Sequence, residues 1–251
     1  MLNKNVETFL GCDADYQEAD TVLYGAPFDS TTSYRPGTRF GSRAIRMESF
    51  GIETYSPYQD KDLMDRKIFD SGDLELCFGD TRRALEDIEH RCAVILNDGK
   101  RPFLLGGEHL VTLGAVKAVF RKYPDLSIIH FDAHADLRSD YLGAELSHAC
   151  VLRRCWELLG DGRIFQFGIR SGDREEFSWG KDHVVTQKFN FDGLKERLEA
   201  LKGRPVYFTL DLDVLDPSVP SRRAASPLTS SGRQHRWFVP RQTWWRAMLT
   251  S

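Results

Sequence analysis

Asp132, His134 and Asp136 follow directly on the apolar run Ile128-Ile129-His130-Phe131, each two residues from the next. In an extended chain that spacing turns side chains to one face, so two carboxylates and an imidazole are expected to converge at the mouth of a buried strand. Carboxylates gathered away from water repel one another unless a cation neutralises them, which makes a metal site the simplest reading. Two other apolar runs end in the same manner. Pro102-Phe103-Leu104-Leu105 leads into Gly106-Gly107-Glu108-His109, and Pro205-Val206-Tyr207-Phe208-Thr209-Leu210 leads into Asp211-Leu212-Asp213. Asp211 and Asp213 again share a parity.

Pooled, these three strand ends offer His109, Asp132, His134, Asp136, Asp211 and Asp213, two imidazoles and four carboxylates with no thiolate. Six ligands exceed the set one catalytic zinc takes. A donor set dominated by carboxylate with some imidazole suits manganese, or two such ions sharing bridging carboxylates. Ions paired roughly 3.5–4 Å apart activate a bridging hydroxide for hydrolysis. A lone Asp-x-Asp after a strand is usually a helix cap or a solvated turn, and a lone Asp-x-His-x-Asp is balanced between metal site and hydrogen-bonded turn. Three such ends in one chain outweigh that plain reading. His130 shares the parity of Asp132 but lies deeper in its strand and reads as a satisfied core histidine. His90 and His183 read as surface or packing residues. Cys150, two residues after His148, could form a Cys–His nucleophile, but small buried packing is the commoner role.

The elements that must position these groups alternate along the chain. Strands are expected over Asp20–Ala26, Lys67–Asp73, Pro102–Leu105, Ile128–Phe131, Arg163–Arg170 and Pro205–Asp211. Helices are expected over Ser42–Tyr55, from Asp80 to about Gly99, over Thr112–Tyr123, Ala149–Leu159 and Asp192–Lys202. Such alternation, with apolar strands covered on both faces, predicts a doubly wound, mostly parallel α/β sheet in an α/β/α sandwich, where ligands bind at the carboxyl ends of strands. The 251 residues suit one large domain or at most two small ones, and the net charge of −3 gives no sign of nucleic-acid or membrane binding. No run of about 18 apolar residues and no signal peptide are evident. Five cysteines without a CxxC pair fit reduced thiols and a cytoplasmic location.

Gly106-Gly107-Glu108-His109, Asp132-Ala133-His134-Ala135-Asp136 and Asp211-Leu212-Asp213-Val214-Leu215-Asp216-Pro217, in that order and spacing, resemble the motifs of the ureohydrolases, the family of arginase, agmatinase, guanidinobutyrase and formiminoglutamase. The resemblance runs from about Asp20 to Val219. It implies an arginase-like α/β/α fold, two manganese ions, and hydrolysis of a guanidino group with release of urea by a metal-bridging hydroxide. It also implies that His109 and Asp136 bind one ion and His134 and Asp213 the other, that Asp132 and Asp211 bridge, and that Asp136 orients the hydroxide. Tyr34-Arg35-Pro36-Gly37-Thr38-Arg39-Phe40-Gly41 and Asp136-Leu137-Arg138-Ser139-Asp140-Tyr141, followed by Ser147-His148-Ala149-Cys150, are similar to agmatinase in particular. The implied substrate is agmatine, with putrescine as the second product, and His148 is the implied proton shuttle to the leaving amine. Guanidinobutyrate is the nearest rival substrate. The family commonly assembles as trimers or hexamers.

After Val219 the resemblance stops. Residues 217–251 hold six arginines and three of the five tryptophans but no Asp, Glu or Lys. The family would continue with a loop whose glutamate pairs with the substrate guanidinium, and no glutamate follows Glu199 here. Residues 1–219 are therefore expected to form an incomplete ureohydrolase domain, and 220–251 an aberrant, frameshifted tail or, as the weaker alternative, a basic aromatic segment able to contact nucleic acid or an acidic partner. An inactive metal-binding fragment is the reading that stands against the enzyme.

Overall fold

A computed structural model describes residues 7–215; the readings made for the segment beyond Pro217 fall outside them. In chain order the elements are β1 (Thr21–Gly25), α1 (Gly41–Ser49), β2 (Tyr55–Ser56), β3 (Lys61–Asp62), β4 (Ile68–Asp73), α2 (Thr81–Asn97), β5 (Arg101–Leu105) and α3 (Val111–Lys122). They continue with β6 (Ser127–Phe131), α4 (Val151–Leu159), β7 (Ile164–Ile169), α5 (Arg174–His183), β8 (Val185–Lys188), α6 (Leu194–Ala200) and β9 (Val206–Leu210). The chain divides into two compact units. Among the described residues, one takes 7–126 with 136–160, the other 127–135 with 161–215.

The expected mostly parallel α/β architecture is present, with one parallel sheet in each unit. In the first, the strand order is β4-β1-β5, and β2 and β3 form a separate antiparallel hairpin. α2 begins at Asp80, whose carboxylate accepts from the Arg83 N–H, and buries Leu85, Ile88, Cys92 and Ile95 as their spacing predicts. Gly114 lets α3 lie close against α2, since a Cβ there would stand 2.8 Å from the Leu85 carbonyl oxygen. A buried ion cluster ties α1 to β4. Arg46 donates to Asp70 through Nε (2.8 Å) and Nη2 (3.0 Å) and to Asp73 through Nη1 (2.5 Å).

In the second unit the order is β8-β7-β6-β9. Its core is aromatic. Phe131 makes edge contacts with Phe167, Phe191 and Phe208 at centroid distances of 6.0, 4.8 and 5.0 Å, and Ile129, Phe165, Leu194 and Leu201 complete the cluster. Three departures from expectation stand out. α1 stops at Ser49 because the β2–β3 hairpin takes up the chain that follows. α5 and β8, not expected, lie between β7 and α6.

Candidate metal centre

The first unit brings two of the six expected ligands together. β5 delivers the chain to Gly106-Gly107, where the backbone is pressed onto Phe28: a Cβ on Gly107 would lie 1.9 Å from the Phe28 carbonyl oxygen. The Glu108 N–H donates to that same oxygen at 2.8 Å. This close approach aims buried His109, whose Nδ1 stands 3.0 Å from the Asp136 carboxylate. Asp136 does not continue an extended run from Phe131. Its φ is +52°, in the left-handed region, and its carbonyl receives the N–H groups of Leu152 and Arg153 at the start of α4. The alternation argument therefore fails at Asp136, because the strand ends at Phe131 and the chain turns.

The second unit brings three more together. One donor atom each from Asp132, His134 and Asp213 lie within 4.8 Å of one another. Here too the turn, rather than strand parity, does the positioning. Asp132 Oδ1 accepts from the His134 N–H at 2.6 Å, and Asp213 Oδ1 accepts from the Ala133 N–H at 3.0 Å. Asp211 Oδ1 accepts from the Asp213 N–H, capping the single turn Leu212–Val214, while the Asp211 N–H donates to the Phe131 carbonyl. Arg170 fastens the same turn through the carbonyl groups of Asp213, Val214 and Leu215.

The electrostatics say what this cluster attracts. His134 Nδ1 lies 2.8 Å from Asp213 and 3.5 Å from Asp132, and bonding to Asp132 and then Asp213 pushes the imidazole up to about 10. Without a metal, a proton on His134 supplies the positive charge that the carboxylates call for. A divalent cation would replace that proton, and oxygen donors with an imidazole suit a manganese-type ion.

His148 opens a single 3-10 turn, His148–Cys150, that runs into α4 in the first unit. Its N–H donates to Thr31 Oγ1 at 3.1 Å, its Nδ1 is 3.3 Å from Ser147 Oγ, and its ring meets Tyr141 edge-on at 5.6 Å. Thr31 in turn donates to Glu108 through its hydroxyl (2.5 Å) and N–H (3.2 Å). Burial pushes the Glu108 carboxyl up to about 7, against the pull of these donors. Cys150 is fully buried with Sγ against the Ala144 carbonyl, as its packing role predicts. His130 is buried as expected, but it also contacts Asp132, an expected ligand: Nε2 lies 2.9 Å from Oδ2. The roles of His130, Glu108 and Thr31 were not visible as a motif. The one available signal was parity between His130 and Asp132.

An arginase-family model matches residues 19–221. The chain belongs to the arginase family. It is 51% identical over 214 residues to the agmatinase of Bacillus subtilis, covering 84% of this chain and 74% of that protein. It is 40% identical to the N(1)-aminopropylagmatine ureohydrolase of Thermococcus kodakarensis over 82% of this chain and 71% of the other. Among solved structures, the agmatine ureohydrolase of Thermoplasma volcanium superposes with a TM-score of 0.76 at 36% identity, over 85% of this chain and 73% of that one. As a member of this family, the chain is a hydrolase of guanidino carbon–nitrogen bonds.

Proposed function

We propose that this chain acts as an agmatinase, hydrolysing agmatine to putrescine and urea with two manganese ions. The observation that carries the reading is the convergence of Asp132, His134 and Asp213 within 4.8 Å, in a chain about half identical to an agmatinase. His109, Asp132, His134, Asp136, Asp211 and Asp213 would hold the ions. When bound, such ions would supply Lewis acidity, able to lower the pKa of water from 15.7 to about 7.

The protein's own groups then have these tasks. The Asp136 carboxylate, buried and set by its left-handed backbone, orients the attacking water. His148 carries a proton to the leaving amine from its ring, which Ser147 and Tyr141 hold while Thr31 anchors its backbone. A cytoplasmic location, with five cysteines that form no CxxC pair as its support, and a trimeric or hexameric assembly belong to the same proposal. No described helix is long and apolar enough to cross a membrane.

The purified chain with added manganese, assayed for urea from agmatine, arginine and guanidinobutyrate, tests the reading. Urea from agmatine alone, with two metals bound per chain, is the expected result. Preference for guanidinobutyrate would reassign the substrate. No urea from any of them despite two bound ions would favour the inactive metal-binding reading.

A further inference from the structure

A polar row crosses the second unit's sheet. His130 on β6 is in register with Gln166 on β7, and Gln166 with Thr186 on β8. Both His130 and Gln166 are fully buried. Gln166 interrupts the apolar strand Ile164-Phe165-Gln166-Phe167, where a polar side chain carries a desolvation cost that only a complete set of partners offsets.

Those partners fix the orientation of the amide. Gln166 Nε2 lies 2.7 Å from the Ala135 carbonyl oxygen, which can only accept, so this end of the amide must be the NH2 group. Its oxygen accepts from the Thr186 hydroxyl at 3.0 Å. The second amide hydrogen meets His130 Nδ1 at 3.0 Å, so that nitrogen must present a lone pair. The imidazole proton is then on Nε2, which donates to Asp132 Oδ2 at 2.9 Å.

We propose that Gln166 is a positioning residue that locks His130 as the Nε2–H tautomer, making it a donor that orients Asp132 and withholding it from the metal as a ligand. With His134 N–H on Oδ1 and His130 on Oδ2, the Asp132 carboxylate is oriented by a donor on each oxygen. Were the tautomer reversed, an unprotonated Nε2 would face Asp132 Oδ2, repel it, and itself be free to ligate. The proposal rests on the reading of Asp132 as a metal ligand.

The full-length chain, labelled with 15N-histidine and free of metal, tests the first half by NMR, with the His130 signal assigned from its loss in His130→Asn. The expected spectrum shows neutral His130 protonated at Nε2. Protonation at Nδ1 in the unaltered chain overturns the proposal. Gln166→Met removes the donor that faces Nδ1, so the ring is then fixed from Nε2 alone. Manganese titration of this variant should show affinity lower by about 10–100-fold, and Asp132→Asn serves as the control. Affinity lost in Asp132→Asn but kept in folded Gln166→Met overturns the role of Gln166 alone. Affinity unchanged in Asp132→Asn overturns the ligand assignment, and this proposal with it.

Discussion

The two units are held together by different means. In the first, charged groups are buried and tied to one another: Arg46 with Asp70 and Asp73, Asp29 with Arg39, and Glu108 with Thr31. In the second, aromatic rings support β6 up to Phe131, and neutral donors passed from Thr186 through Gln166 and His130 reach Asp132. Charges demand specific partners, whereas rings tolerate small adjustments. The first unit is therefore expected to fail sharply when one charge is removed, and the second to yield gradually.

Arg46→Met gives the largest expected effect. Asp70 is fully buried, and the guanidinium is its bidentate partner while also bonding Asp73. Removing one side of a buried ion cluster leaves an uncompensated charge, at a cost of about 3–5 kcal/mol. Chemical denaturation should show that loss. A loss below about 1 kcal/mol would erase the contrast between the units.

Next comes a pH dependence set by Glu108 in the metal-free chain. Its folded pKa of about 7 lies above the ordinary 4.5, so between those values the folded state binds more protons than the unfolded one. Stability from this group is full below pH 4.5 and is lost as pH rises through 7. The loss is on the order of 3 kcal/mol at about 1.36 kcal/mol per pKa unit. Glu108→Gln mimics the protonated form, so the stability difference between variant and parent should grow in the variant's favour across that window. A difference independent of pH would show that Glu108 titrates as an ordinary surface acid.

Much of this was legible in the residues because it depends on local rules. Asp80 and the Leu85, Ile88, Cys92, Ile95 stripe announce α2, and apolar runs ending in ligands announce β5, β6 and β9. α5 was not legible. It opens on a capping box between Asp173 and Glu176, yet buries only Glu176 and Gly180, so its sequence carries no apolar stripe to detect. β8 lies at the edge of its described sheet, and its exposed Val185 and Lys188 obscure any alternation. The ligand types were readable, but the geometry of Asp136 was not. Its left-handed turn presents its carbonyl to the N–H groups of Leu152 and Arg153 in α4, and no periodicity encodes that. Gln166 escaped notice for a related reason, since its meaning arises only when β6, β7 and β8 come into register.

The smallest expected effect is in the aromatic half. Phe131 touches three rings and immediately precedes Asp132, so a naive view makes it as critical as Arg46. Phe131→Leu keeps an apolar, buried side chain and removes the ring edges, which should cost about 1–2 kcal/mol in denaturation. The Asp132 carboxylate is held by the His130 ring and the His134 N–H, neither of which involves the Phe131 ring. Manganese affinity should therefore stay within about twofold of the parent, a change of roughly 0.4 kcal/mol. A tenfold loss of affinity in a folded Phe131→Leu chain would mean that ring packing, rather than hydrogen bonding, aims the carboxylate. The neutral donor row would then be a consequence of burial, and the distinction between the two units would disappear.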